Sequence, residues 1–220
     1  MVRMLERSPV RAAIRAFGFA CLMLGSGIAG YVGWLLWGTG LETARAQEQL
    51  RTQVTRRWDD PVPPPEDEER YLAGQAYAAI VIPSIDIDFV VVEGPREASY
   101  RSYEWTAALK RGPAHYPDSA DPWDGTGRVG IAGHRTTYLH PFLNLDRVEI
   151  GDRIRLITKH GSFLSVVDRN YVEPEAGSGV ALEQTEEPTL VLTTCNPKYS
   201  SRERLIVTAT LARASVPEAR

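Results

Sequence analysis

The sequence predicts a mainly β protein: a closed barrel of about eight short strands with short helices, preceded by one N-terminal transmembrane helix. An uncharged apolar run near the N-terminus predicts the helix. Alternating apolar and polar residues with turn residues between them, from Ala76 onward, predict the strands. The 15 prolines and 18 glycines argue against a helical bundle or a coiled coil, and 220 residues allow one domain with additional segments.

Composition excludes several classes of protein. The net charge of −3 provides no basic footprint, so nucleic-acid binding is not expected. Two cysteines cannot build a disulfide-rich scaffold or a zinc–thiolate cluster. The spacing of three histidines, His115, His134 and His140, matches no known metal motif. Three aspartates three residues apart, Asp118, Asp121 and Asp124, could form a cation site, but turn-forming residues around them predict a solvated loop. No metal and no cofactor are therefore predicted.

The run from Ala16 to Leu41 contains no charged residue and exceeds the roughly 20 residues needed to cross a bilayer. Tyr31, Trp34 and Trp37 crowd its second half, as an aromatic belt at one interface would. A cleaved signal peptide is the alternative, with residues 44–46 (Ala-Arg-Ala) as the cleavage site. Because its apolar region would be only about 7–15 residues long, an uncleaved anchor at 16–41 is favoured.

The charges that flank the anchor do not determine its orientation in the membrane, since arginines lie on both sides. Its position near the N-terminus favours a cytoplasmic head at residues 1–15, with the rest of the chain outside the cell membrane. Residues 42–58 can continue as a helix, with Leu50, Val54 and Trp58 on one face.

The segment Asp59–Arg70 is rich in proline and acidic residues, which predicts an extended, solvated spacer. This spacer should end the structural continuity between membrane and domain. The resulting organisation is a juxtamembrane helix and spacer at 42–75, a β domain at 76–213 and a tail at 214–220.

Within the domain, Ile85, Ile87, Phe89 and Val91 alternate with period two. Later segments repeat strand patterns: Val129–Ala132, Arg153–Thr158, Phe163–Asp168, Asn170–Val172, Thr189–Thr194 and Leu205–Thr210. His160 lies in a predicted hairpin turn and is expected to be solvated. The segment Glu97–Lys110 is the helical stretch of the domain, with Tyr100, Tyr103 and Ala107 on one side.

Cys195 is the first candidate catalytic residue. If Cys21 lies in the membrane, Cys195 has no partner for a disulfide in a compartment where thiols usually pair. It ends the apolar strand that begins at Thr189, just before Asn196 and Pro197, where side chains meet solvent and loops. A buried inert cysteine is the alternative, but an exposed thiol without a function is an oxidation liability.

Arg204 opens the next strand, and a tight return would set it beside Cys195, where a guanidinium can hold an oxyanion. An exposed strand charge is the alternative for Arg204, and Arg202 is its rival in the connecting loop. His134 ends the strand Val129–Ala132 and is the candidate proton partner for the thiol. His115 lies between prolines as a pocket wall or a structural turn residue.

Several motifs together resemble the sortase family. They are Val-Gly-Ile-Ala-Gly-His-Arg-Thr-Thr-Tyr at 129–138, Leu-Thr-Thr-Cys-Asn-Pro at 192–197 and Arg-Leu-Ile-Val at 204–207. Gly-Pro-Ala-His-Tyr-Pro at 112–117 and Pro-Lys-Tyr-Ser at 197–200 narrow the resemblance to the class E group typical of high-GC Gram-positive bacteria. The similarity covers about Ala76 to Ala212.

The resemblance implies a membrane-anchored β-barrel cysteine transpeptidase. Such an enzyme cleaves a Leu-Ala(or Pro)-x-Thr-Gly sorting signal of a secreted protein between Thr and Gly, and joins the acyl group to an amine. That amine belongs to a peptidoglycan precursor (lipid II-like) or to a pilin. His134, Cys195 and Arg204 match the catalytic histidine, cysteine and arginine. The candidate substrate-binding residues, all within or beside these motifs, are Tyr138, Thr194, Thr137 and His115.

The sequence departs from the family pattern at two positions. Val191 stands where threonine is usual, and Asn196 stands where class E relatives often have histidine. The alternatives are a membrane-anchored cysteine hydrolase, an L,D-transpeptidase-like cell-wall crosslinker, or a non-catalytic barrel that binds surface proteins. The crosslinker's usual Ser-x-Gly-Cys is replaced here by Thr-Thr-Cys.

Overall fold

The computed structural model describes residues 9–57, 62–64, 71–96, 99–100, 102–174 and 183–216. Within these ranges the chain forms three α-helices and eight strands. The helices are α1 (Pro9–Gly33), α2 (Thr39–Arg57) and α3 (Tyr103–Arg111). The strands are β1 (Ala76–Ile82), β2 (Ile87–Glu93), β3 (Ala114–His115), β4 (Arg128–Ala132), β5 (Arg153–Thr158), β6 (Gly161–Pro174), β7 (Thr189–Asn196) and β8 (Glu203–Ser215).

The strands close into one barrel in the order β1-β2-β3-β4-β7-β8-β6-β5, which confirms the predicted fold class. β2 pairs with β3 and β4 pairs with β7 in parallel, and the other neighbours are antiparallel. Inward side chains from all around the barrel form one core, which includes Ile80, Ile131, Ile154, Leu192 and Val207.

The alternating pattern determines which side chains face the core. In β5, Ile154 and Leu156 are buried and Arg153 and Arg155 are exposed, as the period of two requires. The break predicted between two short strands near Arg169 is instead a shift of register inside the single strand β6. An irregularity of this kind interrupts the alternation without ending the strand.

α3 begins later than predicted and buries a different face. Ser102 caps it, its Oγ accepting a hydrogen bond from the Trp105 N–H at 3.2 Å. Trp105 and Ala108 are buried, whereas Tyr103 is 79% exposed. Tyr103 and Ala107 share one side of α3, as predicted, but Trp105 and Ala108 form the buried side. Residues 97, 98 and 101 of the predicted helix lie outside the described residues.

Val10–Gly33 forms a helix that is long and apolar enough to cross a membrane, with none of it buried against the barrel. This helix is compatible with a single-pass membrane anchor and overlaps most of the predicted segment 16–41. A π-helical turn, Trp34–Gly38, joins α1 to α2. Residues 1–8 of the predicted head lie outside the described residues.

α2 packs against the barrel, and Leu50 on its inner face is completely buried beside Val90 and Val92 of β2. The expected loss of continuity between membrane segment and domain is therefore wrong, because α2 directly follows the apolar helix and contacts the domain. Most of the predicted spacer, residues 59–61 and 65–70, and part of the tail, residues 217–220, lie outside the described residues.

The described part of the spacer lies on the β5–β6 hairpin. The Val62 N–H donates to the Lys159 carbonyl at 2.9 Å, and the His160 Nδ1 lies 3.0 Å from the Pro63 carbonyl. His160 is 1% exposed and packs edge-on against Trp123. The prediction of a solvated His160 is wrong, because a segment distant in sequence covers the turn.

Candidate active site

Cys195 and Arg204 occupy directly opposite positions of β7 and β8. Side chains at paired positions of antiparallel strands project from the same face of the sheet, with β-carbons about 4.5–5.5 Å apart. Cys195 is a free thiol of intermediate exposure, as predicted. The predicted return between the two strands therefore has the register that sets the guanidinium beside the thiol, whereas Arg202 is exposed in the connecting loop.

β4 lies on the other side of β7 and runs parallel to it, so both strands end at the same edge of the barrel. The Gly133 N–H donates to the Thr193 carbonyl at 3.0 Å, and the Thr194 hydroxyl donates to the Gly133 carbonyl at 2.7 Å. These bonds bring His134 to the strand end that carries Cys195. A glycine is required at 133 because a Cβ there would overlap the Phe142 ring.

Thr194 is 3% exposed, and its hydroxyl already has the Gly133 carbonyl as partner. This placement favours a supporting role beneath Cys195 over direct contact with a substrate. Thr137 is half-buried, and its carbonyl accepts from the His140 N–H at 2.8 Å. It therefore stabilises the turn that contains Tyr138.

His134 is largely buried, and burial lowers its pKa to about 4, with a smaller contribution from the positive charge of Lys110. The ring is therefore uncharged at neutral pH. Its Nε2 is buried with no hydrogen-bond partner among the described residues. A neutral imidazole with an unused nitrogen can accept a proton from a thiol or donate one, according to its tautomer.

Tyr138 lies directly beside His134, with ring centroids 4.9 Å apart and an angle of 34° between the rings. Tyr138, Leu139 and His140 have φ values of 53°, 59° and 39°. Left-handed conformations cost residues with a β-carbon about 1–2 kcal/mol each, so this turn is strained. Strain beside a reactive group is held by surrounding contacts and often serves a function.

Arg135 is a site residue that the sequence analysis did not select. It is 4% exposed, and its Nη1 donates to the Asn196 side-chain oxygen at 2.5 Å and to the Cys195 carbonyl at 3.3 Å. Its Nη2 forms an ion pair with Asp146 at 3.1 Å. Its position in the sequence could have indicated this role, because Arg135 is a charged residue that comes directly after His134 at the end of a buried strand.

His115 is 2% exposed, and its ring packs on Tyr77 of the barrel core. Its Nδ1 lies 3.0 Å from the Glu93 carboxylate, and its Nε2 lies 3.1 Å from the Ser119 hydroxyl. These partners occupy both ring nitrogens, so the placement does not favour the expected contact of His115 with substrate.

The neighbouring Tyr116 points to the opposite side, because side chains alternate along β3 and its continuation. Its hydroxyl lies 2.9 Å from the Thr193 hydroxyl, and burial raises the pKa of the phenol. Thr193 precedes Cys195 by two residues on β7, so this contact places the phenol beside the strand end where Cys195 pairs with Arg204. Tyr116, not His115, is the residue of this motif that borders the site.

Asp121 and Asp124, in the loop that also contains Asp118, form hydrogen bonds with protein groups. Asp121 accepts a hydrogen bond from the Tyr77 hydroxyl at 2.6 Å, and the Asp124 carboxylate accepts from the Asp121 N–H at 2.8 Å. Burial raises the pKa of Asp121. In the part of the chain that the structure describes, no group of three or more His, Cys, Asp or Glu side chains could hold a metal ion.

Comparison with known proteins assigns a family to this arrangement. Sortase SrtE1 of Streptomyces coelicolor is 26% identical in an alignment of 216 residues that covers 91% of this chain and 58% of SrtE1. The chain thus spans less than two thirds of that relative. Sortase E from Streptomyces avermitilis superposes with a TM-score of 0.55 at 29% identity, over 66% of this chain and 93% of that chain.

The crystal structure of sortase E1 from Streptomyces coelicolor has a TM-score of 0.56 at 25% identity, over 67% of this chain and 94% of that chain. The family model for the sortase domain matches residues 80–212, more than half of the chain. The match begins within β1 and ends within β8, so it includes at least part of every strand and both strand ends that carry the site. The chain belongs to the sortase family and is similar to its class E members.

Proposed function

We propose that this chain is a class E-like cysteine transpeptidase that cleaves a Leu-Ala(or Pro)-x-Thr-Gly sorting signal between Thr and Gly. It then joins the threonine acyl group to an amine. The observation that carries the proposal is the pairing of Cys195 with Arg204 across β7 and β8. His134, at the end of the parallel neighbour β4, supplies the proton partner on the other side of the thiol.

In the first half-reaction, the sulfur of Cys195 attacks the carbonyl carbon of the threonine while neutral His134 accepts the thiol proton. Arg204 donates hydrogen bonds to the oxyanion of the tetrahedral intermediate. When the intermediate collapses, the C–N bond breaks and the glycine amine leaves with the proton from His134. The product is a thioester between Cys195 and the substrate.

In the second half-reaction, the acceptor amine attacks the thioester carbonyl, and Arg204 again stabilises the oxyanion. His134 takes the proton of the attacking amine and returns it to the sulfur as the C–S bond breaks. The product, which contains the new amide bond, leaves, and Cys195 is a thiol again. A thioester suits this sequence, because it is reactive towards amines and waits for the acceptor.

The low pKa of His134, about 4, supports a starting state with an uncharged imidazole. An imidazolium–thiolate pair in the free enzyme is disfavoured, since burial opposes charge on the ring. Proton transfer then accompanies bond formation. Each general acid or base contributes about 10²–10⁴-fold to the rate.

The test is a ligation assay with the full chain in detergent micelles or nanodiscs. A Leu-Ala-x-Thr-Gly peptide and triglycine are added, and products are identified by mass spectrometry, with Cys195→Ala as the control. A product joined to triglycine supports the proposal. Cleavage without ligation identifies a hydrolase, and binding without either reaction identifies a non-catalytic module.

The partners follow from the same proposal: secreted proteins with a C-terminal sorting signal, and an amine of a lipid II-like peptidoglycan precursor or a pilin. The apolar helix Val10–Gly33 supports a single-pass membrane location. The proposed orientation, with the N-terminus in the cytoplasm and the domain outside, follows from the position of this helix near the N-terminus. Protease treatment of intact cells should then remove the domain. A mature chain that begins at Gln47 would contradict the retained anchor.

A further inference from the structure

One face of α2 carries polar side chains that are buried against the barrel. Thr39, Thr43 and Gln47 are 6%, 0% and 6% exposed, and their spacing of four residues places them on one helical face together with Leu50. Buried polar side chains in proteins have hydrogen-bond partners. Here the partners belong to β2, to α3 and to the turn beside His134.

Gln47 bonds to β2 as an adjacent strand would. Its Oε1 accepts from the Val90 N–H at 2.8 Å, and its Nε2 donates to the Val90 carbonyl at 2.9 Å. The Nε2 also donates to the Arg111 carbonyl at 2.7 Å. This approach requires a glycine at 112, because a Cβ there would overlap the Gln47 amide.

α2 also caps the end of α3. The last carbonyls of a helix lack intrahelical donors, and the Lys110 carbonyl accepts from the Thr43 hydroxyl at 2.7 Å. The side chain of the same Lys110 reaches over the Tyr138 ring, with Nζ 5.7 Å from the ring centroid. The end of α3 therefore connects α2 to the turn at residues 138–140.

The first turn of α2 contacts that turn directly. The Tyr138 N–H donates to the Thr39 hydroxyl at 3.3 Å, and the Leu139 side chain lies against Gly40. Three successive left-handed residues persist only where their surroundings impose the conformation. Thr39 and Gly40 are part of those surroundings, and they follow the apolar helix after the short turn Trp34–Gly38.

We propose that the buried face of α2 supports the active site, with Thr39 as a positioning residue that holds the left-handed turn of Tyr138 beside His134. Thr43 and Gln47 keep α2 docked and fix the end of α3 over the same turn. The extension of the membrane anchor thereby controls how well the site is formed. This inference rests on the proposed function, in which His134 transfers protons during cleavage of the sorting signal.

Docking also fixes the site close to the anchor. From Gly33, the end of α1, to Thr39 the helical chain rises roughly 9 Å. In a membrane-inserted chain, the Tyr138 turn therefore lies near the bilayer surface on the side of the domain. A site at this height meets chains and acceptors that are themselves held at the membrane.

The test uses the full chain in nanodiscs and the variant Thr39→Val, which keeps the shape of the side chain and removes the hydroxyl acceptor. Amide hydrogen exchange at residues 138–140 reports the order of the turn, and steady-state ligation reports kcat and KM. We expect faster exchange at Tyr138 and a kcat reduced about tenfold. Thr39→Ser, which retains the hydroxyl, should restore both, and the exposed Thr52→Val should leave both unchanged.

A second pair of variants tests the docking. Gln47→Ala leaves the N–H and carbonyl of Val90 and the carbonyl of Arg111 without this partner, whereas Gln49→Ala changes the same residue type on the exposed face. We expect faster exchange at residues 138–140 and a reduced kcat in Gln47→Ala, whereas Gln49→Ala should match the wild type in both measurements. Far-ultraviolet circular dichroism and the melting temperature establish that each variant is folded.

Wild-type exchange at Tyr138 and wild-type kcat in Thr39→Val would overturn the inference, even if Gln47→Ala fails to fold. Its failure is distinguishable from failure of the proposed function. If the wild-type chain neither cleaves nor ligates the peptide, the function is wrong, and exchange at residues 138–140 still tests the contact with Thr39. If the wild-type chain ligates the peptide and Thr39→Val has wild-type exchange and kcat, the proposed function is supported and the positioning role of Thr39 is wrong.

Discussion

Arg135 donates a hydrogen bond to the backbone carbonyl of Cys195 at 3.3 Å from the position immediately after His134. The proposed nucleophile and the proposed proton carrier are thus connected through one buried guanidinium. Its second nitrogen pairs with Asp146 at 3.1 Å, and the Asn196 side chain also accepts from it. The planar fork of arginine spans these partners, which a single ammonium group cannot do.

Arg135→Lys is therefore expected to lower kcat and to reduce the free energy of unfolding by about 1–3 kcal/mol, since the half-buried Cys195 carbonyl and Asn196 side chain lose a hydrogen-bond donor. Urea unfolding and steady-state ligation measure the two effects. The neighbouring Arg147 is exposed, so Arg147→Lys is the matched control and should alter neither quantity. An Arg135→Lys variant with wild-type stability and kcat would remove Arg135 from the site.

Cys195→Ala should abolish cleavage and ligation while leaving the barrel folded, because no other described residue supplies a thiol near Arg204. The second free cysteine, Cys21, lies exposed on α1. Cys21→Ala should therefore have nearly wild-type turnover. Mass spectrometry of the acyl-enzyme should detect the thioester in wild type and in Cys21→Ala. Continued turnover by Cys195→Ala would refute the enzyme hypothesis.

Arg204→Lys should reduce kcat strongly, because a lysine ammonium cannot reproduce the geometry with which a guanidinium holds an oxyanion. Arg204 is aligned by hydrogen bonds from its Nη1 to the Ser201 and Glu203 carbonyls, at 2.9 and 3.1 Å. Arg202→Lys is the control, since Arg202 is exposed in the same return. Equal activity of the two variants would mean that the wrong arginine is assigned.

Sequence patterns predicted the parts of this fold that depend on neighbouring residues. Alternation and apolar runs located most of the strands but not the two-residue β3, which was assigned to a loop. The short return between β7 and β8 predicted that Arg204 lies beside Cys195, and the observed register pairs the two residues. The end of β4 next to β7 was not visible in the pattern, because parallel strands pair across a long separation. His134 was found through its motif and not through geometry.

Contacts between distant segments account for what the sequence analysis missed. The sequence pattern placed Thr39 in the membrane anchor and did not single out Thr43 or Gln47. Only their partners on the barrel and on the turn beside His134 explain why these side chains are buried. His160 is covered by residues 62–63, almost one hundred positions earlier. Tyr116 was overlooked in favour of His115, although alternation puts only one of two adjacent side chains on each face.

The low pKa of His134 predicts a specific pH dependence of stability. Between pH 6.5 and about 4 the unfolded chain protonates this ring and the folded chain does not, so the unfolded state binds more protons. The free energy of unfolding should therefore fall as the pH drops through this window, by roughly 3 kcal/mol from this group. His134→Gln should weaken the dependence, whereas the exposed His140→Gln should not, in urea unfolding at pH 4.5 and 7.5.

The same protonation should govern catalysis. The neutral form of His134 accepts the thiol proton in the proposed mechanism, so kcat/KM should rise with pH through about 4 and not through 6.5. A pH profile of the wild-type enzyme between pH 3.5 and 8 measures this limb. A limb near pH 6.5 would contradict the buried, uncharged state of the ring.

Tyr138 should select the second residue of the sorting signal, alanine over proline. Its half-buried ring stands 4.9 Å from His134, where the signal must lie for proton transfer to the leaving amine. Either the ring fills the space that a proline ring needs, or its hydroxyl accepts from the amide N–H that alanine has and proline lacks. A buried hydrogen bond left unmade costs about 1–3 kcal/mol, so the preference should be about tenfold or more.

Competition between Leu-Ala-x-Thr-Gly and Leu-Pro-x-Thr-Gly peptides separates the two explanations. Tyr138→Phe keeps the ring, so this variant should lose the preference only if the hydroxyl makes the distinction. Tyr138→Ala should lose the preference under either explanation, and a preference retained by Tyr138→Phe alone identifies the ring. If the native enzyme processes the proline peptide faster, the assigned specificity is wrong, whereas the reaction at Cys195 is unaffected by that result.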